Sequence, residues 1–356
     1  MKFATILGTR PQFIKASPLS HELRQHHEEV LVHTGQHYDS GMSDIFFKEL
    51  ALPVPDYHLG VGSGPHGAQT GAMLAAIEGV LQKEAPDAVI VYGDTNSTLA
   101  GALAAAKLHL PVAHVEAGLR SFNRRMPEEI NRVLVDHLST WLFAPSEVSR
   151  EQLAREGIRE GVHVVGDIMA DAVRLHGERA AQSRTLERLG LRPGAFYLAT
   201  VHRAENTDEP DALRSILRAL GALDKPVVLP IHPRTEKRAA ELEITVGANV
   251  RVLPPQGYLA MLALERGAAC ILTDSGGMQK EAYYLEVPCV TLRNETEWVE
   301  TVATGWNTLT GTGPERILAA VARRSDGGAS HPELYGDGMT ARRIAEILSA
   351  GIQEQQ

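Results

Sequence analysis

The sequence predicts an α/β protein built from two doubly wound, Rossmann-like domains, each a parallel sheet covered on both faces. Three observations lead there. The chain has 356 residues, more than one ordinary domain accommodates. Short apolar runs alternate with amphipathic stretches along its length, and continuous apolar strands separated by helices mark parallel sheets buried on both sides. The runs also fall into two sets of six, as two similar units would give.

In chain order the first set is KFATILG (2–8), EVLVHTG (29–35), AVIVYGD (88–94), PVAHVEAG (111–118), WLFAPS (141–146) and VHVVGD (162–167). The second is FYLATVH (196–202), PVVLPIH (226–232), VRVLPP (250–255), CILTDSG (270–276), PCVTLR (288–293) and NTLTG (307–311). Helical patterns such as residues 98–108 and 315–323 lie between them. The boundary is expected near Gly166-Asp167, after the sixth run, giving domains 1–167 and 168–338, with a helical segment over 171–188 entering the second. A turn signal, Tyr335-Gly336-Asp337-Gly338, precedes a terminal segment, 339–356. There Ile344, Leu348 and Ile352 share one helical face, suited to packing back on the N-terminal domain. The glycine-rich stretch 60–67 does not follow a strand in the Rossmann pattern and reads as a surface loop.

Composition excludes several classes. Hydrophobic residues make up 44% and charged residues 22%, ordinary globular values that leave little room for long disorder. The net charge of −9 argues against a general nucleic-acid or membrane-surface binder. No apolar run approaches membrane-span length, and the N-terminal MKFATILGTRPQ reads as a first buried strand rather than a signal peptide. Cys270 and Cys289 each sit inside an apolar run, as reduced core thiols do, which points to the cytoplasm. There is no HExxH, CxxC or Asp-x-Asp pattern, so no metal is expected, and GTRPQFIK is not GxGxxG, which speaks against a tightly held dinucleotide.

In open α/β sheets ligands bind beyond the carboxyl ends of the strands, and the polar residues gather there. Arg10 and Lys15 follow the first run. Asp94 closes the third, where Thr95 or Asn96 can cap the next helix. Glu116 closes an otherwise apolar strand, which packing does not explain. Glu128 and Arg132, four apart after Pro127, share a helix face; a surface ion pair is the plain meaning of that spacing. In the second half Ser275, Gly276 and Gly277 run from strand into helix, where small residues let the backbone approach an anion and free amides face it. His202-Arg203 and His232 with Arg234 each place imidazole and guanidinium after an apolar strand.

In this order the segments GTRPQFIK, YGDTNSTLAG, HVEAGLRS, MPEEINR, VHRAEN, TDSGGMQKEA and YGDG resemble the non-hydrolysing UDP-N-acetylglucosamine 2-epimerases over nearly the whole chain. The resemblance implies two Rossmann-like domains facing across a cleft, as in the GT-B glycosyltransferases, with UDP held mainly by the second. It implies that Asp94, Glu116 and Glu128 are catalytic carboxylates and His202 the active-site histidine. Arg10, Lys15 and Arg132 become substrate-contacting cations, and Ser275, Gly276 and Gly277 the diphosphate loop. Glu281 holds the ribose, Gln256 and Tyr258 face the uracil, and His232 and Arg293 complete the UDP set. The implied chemistry is anti elimination of UDP to a 2-acetamidoglucal, then re-addition with C2 inverted, for surface-polysaccharide precursors. It calls for no cofactor, a UDP-sugar as the only ligand, and a homodimer without nucleic-acid or membrane partners.

Two departures qualify the resemblance. Many members read Thr-Glu-Arg-Pro-Glu where this chain reads Thr296-Glu297-Trp298-Val299-Glu300. That form looks closer to the branch acting on UDP-2,3-diacetamido-2,3-dideoxyglucuronate, the alternative substrate. Gln36-His37 is kept, but Tyr38-Asp39 follows where members activated by a second UDP-GlcNAc have another polar pair. A UDP-sugar glycosyltransferase on the same fold is a more distant alternative, because it would not need three carboxylates on the sugar side.

Overall fold

The computed structural model describes residues 1–36, 47, 49–323 and 330–353; the His37-Tyr38-Asp39 segment and residues 354–356 lie outside them. Two compact units partition the chain. The first comprises Met1–Leu175 with Glu333–Gln356, the second His176–Pro332.

The first unit holds a seven-stranded parallel sheet: β1 (Lys2–Leu7), β2 (Glu28–His33), β3 (Tyr57–His58), β4 (Ala88–Tyr92), β5 (Val112–Val115), β6 (Trp141–Ala144) and β7 (Val162–Val164), in the order β3-β2-β1-β4-β5-β6-β7. All six predicted runs form strands. The seventh, β3, is two residues long and pairs with the end of β2, too short to show any periodicity. The core is Ile, Val and Ala: Ile6, Val32, Val89 and Val91 pack against Ala100, Ala104 and Ala105 of the helix Asn96–Lys107. That helix approaches closely because Gly101 has no side chain; a Cβ there would lie 3.1 Å from Val91 Cγ1 and 3.2 Å from Ile6 Cβ.

The second unit holds six parallel strands: β8 (Tyr197–Thr200), β9 (Val227–Pro230), β10 (Val250–Leu253), β11 (Cys270–Thr273), β12 (Cys289–Thr291) and β13 (Asn307–Leu309), in the order β10-β9-β8-β11-β12-β13. Cys270 and Cys289 are buried free thiols on adjacent strands. Both sheets reverse strand order once, between β1 and β4 and between β8 and β11, so each has a point where two neighbouring strand ends send their loops opposite ways.

The segment 171–188 is not one helix. Ile168–Gln182 stops and Thr185–Arg188 restarts, with Arg184 between them at φ +53°, a left-handed conformation that no helix interior accepts. The terminal helix Thr340–Gln353 buries Ile344, Leu348 and Ile352 as its periodicity predicts, and belongs to the first unit. Asp171 holds its start by accepting from the amides of Thr340 (3.1 Å) and Ala341 (3.0 Å), while Ser349 Oγ lies 2.8 Å from His27 Nε2. Among the described residues no helix is long and apolar enough to cross a membrane.

Candidate active site

In the first unit the sequence-predicted residues converge on the ends of β1, β4 and β5, which are neighbours in the sheet. The turn after β1 is fixed by Gln12, buried in the first turn of the helix Arg10–Leu23. Its Oε1 accepts from Gly8 N (2.8 Å) and Thr9 N (3.1 Å), and its Nε2 donates to the Tyr92 carbonyl (2.9 Å). One neutral side chain therefore joins the β1 and β4 turns, and Arg10 and Lys15 follow on the helix it starts. Burial lowers the pKa of the Arg10 guanidinium from its usual value, and Glu49 opposes that.

Lys15 Nζ pairs with Glu116 Oε2, and Arg132 pairs with Asp94. The Lys15–Glu116 pair lies against Gly93, where an added Cβ would stand 3.3 Å from both Glu116 Oε2 and Lys15 Nζ, and the Arg132–Asp94 pair begins at the next residue. Gly93 has φ +62°, so the turn that brings these groups together favours a residue without a side chain, and any Cβ there would press on the tips of Lys15 and Glu116. Glu116 itself has φ +77°, a region that a non-glycine residue enters at about 1–3 kcal/mol, and such strain collects at functional positions. Thr95 is the residue that caps the following helix, accepting from the Thr98 amide.

The expected surface pair of Glu128 and Arg132 gives way to a different arrangement. Arg132 is buried and pairs with Asp94 and with Glu129 (3.2 Å). Glu129 is also buried, and its carboxylate accepts from Ser121 N (2.9 Å), Ser121 Oγ (3.0 Å) and Phe122 N (2.9 Å). Glu128, beside it on the first turn of the helix Pro127–Leu138, stays half-buried. Adjacent acids thus separate into one that folds the preceding loop and one that remains accessible. Sequence reasoning missed Glu129, and it missed the buried His114, Asp136 and Arg120 with Glu156 at their exposed end. The available signal was the polar His114 inside an apolar strand and Asp136 beside Val135 on a helix.

In the second unit the residues gather at the ends of β8 and β11. Asp274 is fully buried and accepts from His202 N (3.1 Å), Arg203 N (3.1 Å) and Asn206 Nδ2 (3.0 Å), with His202 Nδ1 3.1 Å away. Burial pushes its carboxyl up, but the bonds from His202, Asn206 and the Arg203 amide outweigh this and hold it below the usual range. His202 stays exposed above it. Ser275 caps the helix Gly276–Tyr284, accepting from Met278 N. A Cβ on Gly276 would come no nearer than 3.7 Å to Trp298 Nε1, and on Gly277 no nearer than 3.9 Å to Ser275 Oγ. The two glycines therefore leave the first amides of this helix open to an approaching anion, which the positive end of a helix favours.

Below this helix start, Arg293 forms a two-bonded pair with Glu297 (3.1 and 3.2 Å), and Lys280 Nζ stands 4.0 Å over the Trp298 ring. All four side chains are buried. Glu281 is buried beside Tyr258. Burial first, then the Glu281 and Glu265 carboxylates, raise the Tyr258 hydroxyl well above its usual pKa, and burial with Glu281 raises Glu265 well above the carboxylate range. Gln256 is partly exposed and donates to the Pro254 carbonyl (2.7 Å). His232 is exposed and caps the helix Pro233–Glu241 by accepting from Arg234 N (3.2 Å), a plain structural use of that side chain.

Carboxylates paired with cations at one sheet's switch point, and an open helix start beside buried arginine and lysine at the other's, define an acid–base enzyme for an anionic substrate. The comparisons narrow that class. Residues 21–349 match the family model of UDP-N-acetylglucosamine 2-epimerase. A UDP-N-acetylglucosamine 2-epimerase of Methanocaldococcus jannaschii is 46% identical, over 99% of this chain and 100% of its own. A UDP-2,3-diacetamido-2,3-dideoxy-D-glucuronate 2-epimerase of Pseudomonas aeruginosa is 50% identical, over 98% of this chain and 99% of its own. The crystal structure of the M. jannaschii enzyme in complex with UDP-GlcNAc and UDP superposes with a TM-score of 0.92 at 45% identity, over 99% and 100% of the two chains. That of a Neisseria meningitidis UDP-GlcNAc 2-epimerase bound to UDP-GlcNAc gives 0.91 at 32%, over 98% and 100%. The chain belongs to the UDP-N-acetylglucosamine 2-epimerase family and is an isomerase.

Proposed function

We propose that this enzyme reversibly converts UDP-N-acetylglucosamine to UDP-N-acetylmannosamine, in the cytoplasm and as a homodimer, supplying surface-polysaccharide precursors. The observation that carries the reading is the pairing of Glu116 with Lys15 against Gly93 and of Asp94, the next residue, with Arg132. A pure binder of a diphosphate would gain nothing from carboxylates there, whereas C2 chemistry requires them. Relatives solved with UDP-GlcNAc support the same substrate. Exposed Ile130 and Leu134, one turn apart on the helix Pro127–Leu138, with exposed Phe122, support a second copy as partner.

The C2 proton is too weakly acidic to leave unaided. Departure of UDP from C1 builds positive character in the ring and makes its removal feasible. In the forward step the C2–H bond breaks, a carboxylate takes the proton, and the C1–O electron pair leaves with UDP. Glu116 or Glu128 takes and returns the proton on the two faces, and Asp94 is the third carboxylate of the set. Arg10, His202 and the Ser275–Gly277 amides stabilise the departing diphosphate. The second step re-adds UDP to the 2-acetamidoglucal as the proton returns to the other face. No electrons are gained or lost overall, so the reaction needs no redox cofactor.

A second substrate reading, UDP-2,3-diacetamido-2,3-dideoxyglucuronate, is favoured by buried Trp298 with Lys280 over its ring and by the P. aeruginosa relative. One assay tests both. The enzyme is incubated in D2O with each nucleotide sugar, and the faster deuterium incorporation at C2 identifies the substrate. Incorporation with neither would overturn epimerisation, and undiminished incorporation by Glu116→Gln would remove Glu116 from the mechanism.

A further inference from the structure

Beneath the proposed acids lies a buried charge network that the mechanism above does not use. Asp136, on the helix Pro127–Leu138, has a fully buried carboxylate. Its Oδ1 is 2.7 Å from His114 Nδ1 on β5, and its Oδ2 accepts from Arg120 Nη1 (2.7 Å) and the Gly118 amide (3.2 Å). Arg120 continues outward, donating through Nε and Nη2 to both Glu156 oxygens (2.7 Å each) and through Nη1 to the Leu119 carbonyl (2.7 Å). His114 Nε2 lies 2.8 Å from the Gly93 carbonyl. That carbonyl only accepts, so Nε2 donates to it while the other ring nitrogen faces Asp136. Arg120 meets the same carboxylate from its other oxygen and passes outward to Glu156.

The ends of this network matter more than its middle. One end grips the carbonyl of Gly93, immediately before Asp94. The other grips the amide of Gly118, two residues after Glu116. The Glu116 and Ala117 amides both donate to the Phe143 carbonyl (3.1 Å each), and a Cβ on Gly118 would lie 2.5 Å from the Ser149 carbonyl oxygen, so this turn is held on every side. Strained backbone such as Glu116 at φ +77° persists only where its surroundings over-determine it. A single carboxylate bonded through His114 to one turn and directly to the other is a device for over-determining both.

We propose that Asp136, acting through His114 and Arg120, is a positioning residue for the epimerisation, setting the Asp94 and Glu116 turns relative to each other. This rests on the assignment of Asp94 and Glu116 as acid–base groups. A misplacement on the ångström scale is worth about 10²-fold in rate without loss of binding. A merely structural role would instead lower stability and leave the turnover of the folded fraction alone.

The test uses full-length enzyme and UDP-GlcNAc, with kcat, KM and folded fraction by circular dichroism measured for each variant. Asp136→Asn is expected to lower kcat about 10- to 100-fold with KM changed by no more than about twofold. His114→Asn, which keeps an N–H near Asp136 but drops the bond to Gly93, should fall in the same range. His114→Gln, whose amide reaches toward Gly93, should recover part of the loss. Glu156→Gln, at the partly exposed end, leaves the buried pair in place and should lower kcat about 3- to 10-fold. A kcat within about twofold of wild type, in whichever of Asp136→Asn, His114→Asn and Glu156→Gln folds, overturns the proposal. Glu116→Gln is measured alongside. If it keeps C2 exchange, the acid–base reading fails; if it loses exchange while folded Asp136→Asn keeps kcat, only the positioning role falls.

Discussion

Asp94 and Asp274 occupy the same place in their two units. Each follows the strand next to the sheet's reversal of order, β4 in one and β11 in the other. Asp274 is wholly occupied by the neighbouring turn, accepting two backbone amides and the Asn206 side chain. Asp94 keeps about a quarter of its side chain exposed and pairs with the Arg132 guanidinium. The difference traces to Gln12. In the first unit a neutral amide joins the two strand-end turns and so leaves the carboxylate available for the acid–base role proposed for it. In the second the carboxylate joins them itself, and the proposed reactive role falls to the exposed His202 it supports. A strand-end acid is therefore not catalytic by position alone; what matters is whether another group already ties the turn.

The sharpest way to break this comparison is to neutralise both acids. Asp94→Asn should lower C2 deuterium exchange by about 10²–10⁴-fold, the range of acid–base catalysis, while its urea midpoint stays close to wild type. If Asp94→Asn instead unfolds readily and folded enzyme exchanges normally, the two aspartates do the same job. Next in size, Asp274→Ala should lose about 3 kcal/mol of unfolding free energy in urea titration, because it strands buried amides. The pH dependence refines that figure. The folded pKa of Asp274 lies below its usual 3.8, so its contribution is present above that value and fades as pH falls through the folded pKa. The stability gap between wild type and Asp274→Asn should accordingly be widest near neutral pH and shrink below about pH 4; a gap that widens on acidification contradicts the sign. Smallest is the strain at Glu116. Glu116→Gly should be about 1 kcal/mol more stable than Glu116→Gln, both having lost the Lys15 pair, because glycine accepts φ +77° freely. Equal thermal midpoints would show that no strain is held there.

The sheets were legible because a strand buried on both faces must be a continuous apolar run, and all twelve runs appear among the thirteen strands of the described residues. β3 was not, since two residues carry no pattern. The break at Arg184 was hidden because its left-handed conformation falls on a residue that is neither glycine nor proline. The acids at strand ends stood out as charges with no packing reason to be there. What could not be read is which partner each charge takes. Glu128 and Glu129 are equivalent in sequence, and only the path of the Ser121–Phe122 backbone makes Glu129 the buried one. His114 and Asp136 lie twenty-two positions apart, a distance over which only the fold relates them.

The first unit is discontinuous: the chain leaves it at Leu175 and re-enters at Glu333. During synthesis, therefore, the domain begun earliest is finished last, while its later-made companion is one uninterrupted stretch able to assemble sooner. Until the final helix emerges, the His27 ring and the Trp141 indole, which sits 2.8 Å from where a Gly351 Cβ would be, lack their covering. A chain that lacks the helix Thr340–Gln353 would carry that unsealed surface, so the first unit depends on a segment that follows the whole of the second.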